Sequence, residues 1–185
     1  MPRKLLSLAV LTLAIVVGVM AARRLPVLGG AEAEEMRSPA PEFAQGTKWL
    51  QSKPLTLGSL RGQVVVVHFW TFGCINCFHN YPAYKAWQKQ YDGNGVTIVG
   101  IHTPEFDREA DVARIRAKAE ANGLKFAIAV DNDKQNWKNW GNRYWPSVYL
   151  VDKRGQVRYR WEGELGTHGE RLMRQRIDQL LAEKP

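Results

Sequence analysis

The sequence predicts an α/β domain with a central mixed sheet flanked by helices, and three observations lead there. Apolar runs at Val64 to Val67, Val96 to His102 and Phe126 to Val130 alternate with helix-like segments at Phe78 to Tyr91 and Asp107 to Asn122. Such alternation builds a parallel sheet with helices on both faces. Ser147 to Val151 and Val157 to Trp161 flank Asp152-Lys153-Arg154-Gly155, a hairpin signal that closes the sheet with an antiparallel pair. Last, His68-Phe69-Trp70-Thr71-Phe72-Gly73-Cys74-Ile75-Asn76-Cys77 reads as strand, short turn and helix start, and it holds the only two cysteines of 185 residues.

Arg3 and Lys4 precede an uncharged run from Leu5 to Ala22, closed by Arg23-Arg24. This is an export signal, long for a signal-peptide core and just long enough to cross a bilayer as a helix. An N-terminal signal or transmembrane anchor over residues 1–24 is therefore expected, with the span at residues 5–22; a cleaved leader is the alternative. Either route places the cysteines outside the cytoplasm, on the periplasmic or cell-surface side, where disulfides persist unless something reduces them. Residues 25–47, with Pro26, Gly29-Gly30, Glu34-Glu35, Pro39 and Pro41, read as a flexible tether, leaving residues 48–185 as the domain.

Within the domain, Lys48-Trp49-Leu50 and Leu55-Thr56-Leu57 are short strand candidates expected to pair as an N-terminal hairpin, and Gly58 to Gly62 turns into the central strand. Pro82 deletes one backbone bond in the helix after Cys77 and predicts a kink. Asp92-Gly93-Asn94-Gly95 ends that helix, and Gly123 ends the next. Asp133 to Trp140 is a short helix stopped at Gly141, and His168 to Ala182 the terminal one. The net charge of +8, from 26 Lys plus Arg against 18 Asp plus Glu, is scattered, as on a solvated surface. No nucleic-acid motif accompanies it, and no nucleic-acid partner is expected.

A C-x-x-C at a helix N-terminus has a definite chemistry, because unpaired N–H groups and the positive end of the macrodipole stabilise a thiolate there. Cys74 is the expected nucleophile, and Cys77, a turn deeper, the resolving thiol. Residues i and i+3 lie about 5–6 Å apart, within the reach of a disulfide. The alternatives are a structural bridge, half a zinc site or a haem attachment. Zinc needs further ligands and there is no second C-x-x-C. A c-type haem needs His where Phe78 stands, and His79 comes one residue late. No metal and no cofactor beyond the two cysteines is expected.

These elements resemble the thioredoxin-like fold. More narrowly, the chain is similar to the exported, membrane-anchored TlpA/ResA-like thioredoxins and to the thioredoxin-like domain of DipZ-type proteins. The likeness runs from Trp49 to Ala182. It is sharpest at Phe69-Trp70 with Cys74-Ile75-Asn76-Cys77, at His102-Thr103-Pro104-Glu105-Phe106 and at Gly141-Asn142-Arg143-Tyr144-Trp145-Pro146. The Asp107 helix and the Phe126 strand stand where that group carries its inserted helix-strand unit. The resemblance implies Cys74 as the attacking cysteine, Cys77 as the resolving one and Pro82 as the kink proline. It implies Pro146 as a cis-proline facing the disulfide, with the backbone of Trp145 free to pair with an extended substrate; as a residue, Trp145 is equally a core aromatic. Glu105 matches a carboxylate placed near the cysteines, suited to proton exchange with Cys77; its alternative is an exposed loop acid.

Two departures stand out. Gly73 replaces the usual tryptophan before the first cysteine, which predicts a more open and less apolar rim, and His68 replaces thioredoxin's buried acid, which reads as a satisfied strand histidine, with a neutral proton shuttle as the alternative. His79, His102 and His168 carry no expected catalytic role.

The resemblance implies a thiol-disulfide oxidoreductase that reduces disulfides of exported proteins, with cytochrome c maturation as one setting. A transmembrane electron donor would restore the dithiol. The competing readings are an oxidase or isomerase using the same residues, a thiol peroxidase through Thr71-x-x-Cys74, and a non-catalytic binding module. Against the peroxidase, Val67 stands where a proline is expected.

Overall fold

The computed structural model describes residues 33–184, and the expected anchor at residues 5–22 lies outside them. Among the described residues no helix is long and apolar enough to cross a membrane. Seven strands form one sheet: β1 (Glu34–Pro39), β2 (Lys48–Leu50), β3 (Val64–Trp70), β4 (Val96–His102), β5 (Ala127–Val130), β6 (Ser147–Val151) and β7 (Gln156–Glu162), in the order β1-β7-β6-β3-β4-β5-β2. The helices are α1 (Ile75–Tyr91), α2 (Val112–Ala121), α3 (Gln135–Asn139) and α4 (Gly166–Ala182).

β3 is central and buried throughout, parallel to β4 and antiparallel to β6. Its alternation divides the core. Val64, Val66 and Trp70 pack with Tyr84, Trp87, Ile115, Met173 and Ile177 on one face; Val65, Val67 and Phe69 pack with Trp140, Tyr149 and Phe43 on the other. Each such side chain contributes about 1.5–3 kcal/mol on burial. Gly100, opposite His68, has no room for a Cβ: it would stand 2.7 Å from Phe126, 2.8 Å from Trp70 Nε1 and 2.9 Å from His68 Nε2.

The β6–β7 hairpin forms as expected, its turn held by Asp152 Oδ1, which accepts from the Arg154 and Gln156 amides at 2.9 Å each. Three expectations need correction. The N-terminal hairpin does not form: β2 pairs with β5 at the sheet edge, while residues 55–57 lead into a 3-10 turn at Gly58–Leu60 that buries Leu57 and Leu60. The second half of the tether belongs to the domain. β1 covers the outer edge of β7, Phe43 sits between Trp49 and Trp140, and Glu42 Oε1 accepts from the Leu57 amide at 2.7 Å. Finally, the helix expected over Asp107 to Asn122 is divided. A 3-10 turn at Asp107–Glu109 precedes α2, because Asp111 Oδ1 caps the Ala113 and Arg114 amides at 2.8 and 3.2 Å.

Candidate redox-active site

Strand register gathers the candidate site residues. Trp70 pairs with His102, His102 with Val130, and Phe69 with Ser147. The loops after β3, β4 and β5 and the loop before β6 therefore emerge at one end of the sheet. They carry Cys74, Glu105, Asp131 and the Trp145–Pro146 peptide, which is cis.

Cys74 is the N-cap of α1, at the helix start where the C-x-x-C was expected. Its Sγ accepts from the Cys77 amide at 3.2 Å, the role a Ser or Asp side chain usually takes at a helix start. Cys77 is fully buried, Cys74 is half-buried, and both are free thiols. A hydrogen bond from the Cys77 thiol, with help from the Cys77 and Asn76 amides, lowers the Cys74 pKa to about 7 against the opposing effects of burial and of the Glu105 charge. Burial pushes the Cys77 thiol up, and the neighbouring Cys74 adds to it. The first proton thus leaves Cys74, which becomes a shielded thiolate at neutral pH, while Cys77 holds its own. That asymmetry suits attack by one sulfur and resolution by the other.

Glu105 is exposed, and its charge reaches both thiols, raising each. The buried acid of the loop is instead Glu109, at 1% exposure. Its Oε2 accepts from Thr71 Oγ1 at 2.6 Å and from the Glu105 amide at 3.0 Å. His102 Nε2 accepts from the Phe72 amide at 3.4 Å and lies 3.3 Å from Thr71 Oγ1; burial lowers its pKa to about 4. Sequence reasoning missed Glu109. Its one signal was Gly73, where a Cβ would stand 2.0 Å from Glu109 Oε1. The missing tryptophan therefore does not open the rim at that point, because the carboxylate fills the space.

Trp145 is half-buried, stacked on Trp137 at 3.9 Å between ring centres, and donates through Nε1 to the Thr103 carbonyl at 3.0 Å. Its side chain thus ties the loop before β6 to the loop after β4. Asp131, buried, accepts from Thr103 Oγ1 and from the Asn136 and Trp137 amides, which fixes the third loop. His68 is fully buried but not satisfied: neither ring nitrogen has a partner among the described residues, its ring stacks on Tyr84 at 4.0 Å, and burial lowers its pKa to about 3. His79 is exposed and pairs with Glu164 at 2.8 Å.

Four large apolar side chains are exposed at this end or beside it: Ile75 and Phe78 on the first turn of α1, Phe106 after Glu105, and Tyr144 before the cis peptide. They give the site an apolar rim.

The profile of the AhpC/TSA family matches residues 36–160. Protein DipZ of Mycobacterium tuberculosis is 41% identical over 139 residues, which cover 73% of this chain and 20% of DipZ. The chain therefore spans about a fifth of that relative's length. Thiol-disulfide oxidoreductase YkuV of Bacillus subtilis is 26% identical over 149 residues, covering 80% of this chain and 98% of YkuV. A solved thioredoxin-like protein in its oxidised form superposes with a TM-score of 0.70 at 27% identity, covering 80% of this chain and 98% of that one. The thioredoxin-like fold and the DipZ-type resemblance read from the motifs are both borne out.

Proposed function

Since this chain belongs to the AhpC/TSA family and is a thiol-disulfide oxidoreductase of thioredoxin-like type, we propose that it reduces disulfides of exported proteins with the Cys74–Cys77 dithiol. The observation that carries this reading is the half-buried Cys74 sulfur, which caps α1 by accepting from the Cys77 amide beside a fully buried Cys77 thiol, an arrangement that lowers its pKa to about 7. Cys74 thiolate attacks one sulfur of the partner's disulfide; that S–S bond breaks, a mixed disulfide forms and the partner's other sulfur leaves as thiolate. Cys77 then loses its proton, which we assign to Glu105, and attacks Cys74 Sγ. The second partner thiol leaves, the partner gains two electrons, and the cysteines end as a disulfide. A transmembrane donor of two electrons returns the dithiol.

The apolar rim of Ile75, Phe78, Phe106 and Tyr144 suits an extended protein segment, which the backbone at Trp145–Pro146 would pair with as an added strand. The uncharged run at residues 5–22 supports an extracytoplasmic domain held at the membrane. Cytochrome c maturation is one setting that matches a reductant there. A Cys77→Ser variant of the full chain, expressed in an exporting cell, tests the reading by trapping the mixed disulfide on Cys74. Adducts with exported proteins in the membrane fraction are the expected result. Adducts confined to cytoplasmic proteins, or none, would overturn it.

A further inference from the structure

Two carboxylates are buried at the cysteine end of the sheet, and they differ. Asp131 is saturated, its oxygens accepting from Thr103 Oγ1, the amides of Asn136 and Trp137, and Asn136 Nδ2. Glu109 has both its hydrogen bonds on Oε2, while Oε1 is buried against Gly73 with no partner among the described residues. An unpaired buried carboxylate oxygen is costly, so its retention asks what the group holds in place.

Thr71 is where that carboxylate meets the sulfurs. Its carbonyl accepts from the Cys74 amide at 3.3 Å, its backbone N–H favours the thiolate of Cys77, and its hydroxyl goes to Glu109. The other bond of Glu109 fixes the amide of Glu105, whose charge faces both thiols. One carboxylate therefore joins the backbone under the cysteines to the loop that carries the charge opposite them.

We propose that Glu109 is the positioning residue of the dithiol: through Thr71 and the Glu105 amide it fixes both loops relative to Cys74 and Cys77, and Gly73 is the space it occupies. This deepens the redox reading above and rests on it. The charged and titratable groups around the dithiol and Glu109 are Tyr81 and Tyr84 from α1, His102 from β4, Glu105 from the next loop, and Arg114 from α2. Arg114 lies over Phe72 at 5.4 Å and donates to the Arg108 carbonyl at 3.2 Å, so it does not neutralise Glu109.

The test uses Thr71→Val, Thr71→Ser and Glu109→Leu, with two readouts on the reduced protein: the pH profile of Cys74 alkylation by iodoacetamide, and the equilibrium constant with glutathione. Thr71→Val should move the alkylation midpoint upward by about one pH unit, the effect of losing one hydrogen bond to a charged group, and shift the equilibrium toward the disulfide by about twofold at pH 7, rising to about tenfold at pH 9. Thr71→Ser should restore both. A Thr71→Val profile like that of the parent overturns the proposal, whether or not thermal stability falls. So does a downward shift in Glu109→Leu with Thr71→Val unchanged, since the carboxylate would then act by its field and not by position. Alkylation needs only a thiol, so it decides the role of Glu109 even if the parent fails to equilibrate with glutathione, which would sink the redox reading instead.

Discussion

Exchange between the reduced protein and a small symmetrical disulfide, followed against pH beside a short peptide with an unperturbed cysteine, should show an inversion of rates. Cys74 sits at about 7 against a reference of 9.0. At pH 7 about half of Cys74 is thiolate against roughly 1% of the reference thiol, a gain of about 50-fold. The lower basicity of the thiolate takes back part of this. With a Brønsted coefficient of about 0.4–0.5, two pH units cost about eightfold in intrinsic nucleophilicity, leaving Cys74 about sixfold faster. At pH 9 the reference is about half ionised, the ionisation advantage shrinks to about twofold, and Cys74 should be about fourfold slower. Stopped-flow measurement at both pH values checks this. A Cys74 rate below the peptide's at pH 7, or a midpoint near 9, would refute the argument that capping and the Cys77 thiol together activate Cys74.

Glu105→Gln removes a charge that raises both thiols, so the Cys74 alkylation midpoint should fall by a fraction of a pH unit; because the side chain is exposed, high salt should shrink the difference. Gly100→Ala puts a Cβ 2.7–2.9 Å from Phe126, Trp70 and His68, none of which can swing aside, and should cost about 1–3 kcal/mol in urea unfolding. For His68 the folded pKa of about 3 lies below the ordinary 6.5, so the unfolded chain binds a proton that the fold excludes. Stability should therefore fall as pH drops from about 6.5 toward 3, by up to about 1.4 kcal/mol per pH unit from this residue. His68→Phe, read by unfolding at several pH values, should flatten that acid limb in part, leaving the contribution of buried His102.

Where one physical rule governed a segment, the sequence was enough to place it. The apolar runs at Val64, Val96 and Ser147 became strands, the turn glycines marked the ends, and C-x-x-C at a helix start located both thiols. The failures share a cause, which is that partners distant in sequence decided the outcome. Residues 34–39 have no strand pattern of their own and pair because β7 presents a bare edge. Lys48–Leu50 sits beside β5 instead of Leu55 because Leu57 is drawn into the core. Asp111 divides a segment that periodicity alone would make one helix. At the site, Glu105 was legible as a loop acid by its motif, while Glu109, four residues on, is brought to Thr71 and Gly73 only by the pairing of β3 with β4. His68 read as a satisfied strand residue, and burial on β3 opposite Gly100 left both its nitrogens without partners among the described residues.

The reduction potential of the Cys74–Cys77 couple in the full chain, equilibrated against defined thiol buffers, tests the central claim most directly. A value near that of thioredoxin, about −270 mV, or lower is the result expected of a reductant of exported disulfides. A value near −120 mV would make the couple an oxidant and reverse the proposed direction, and a couple that no thiol buffer can reach in the folded protein would contradict exchange altogether.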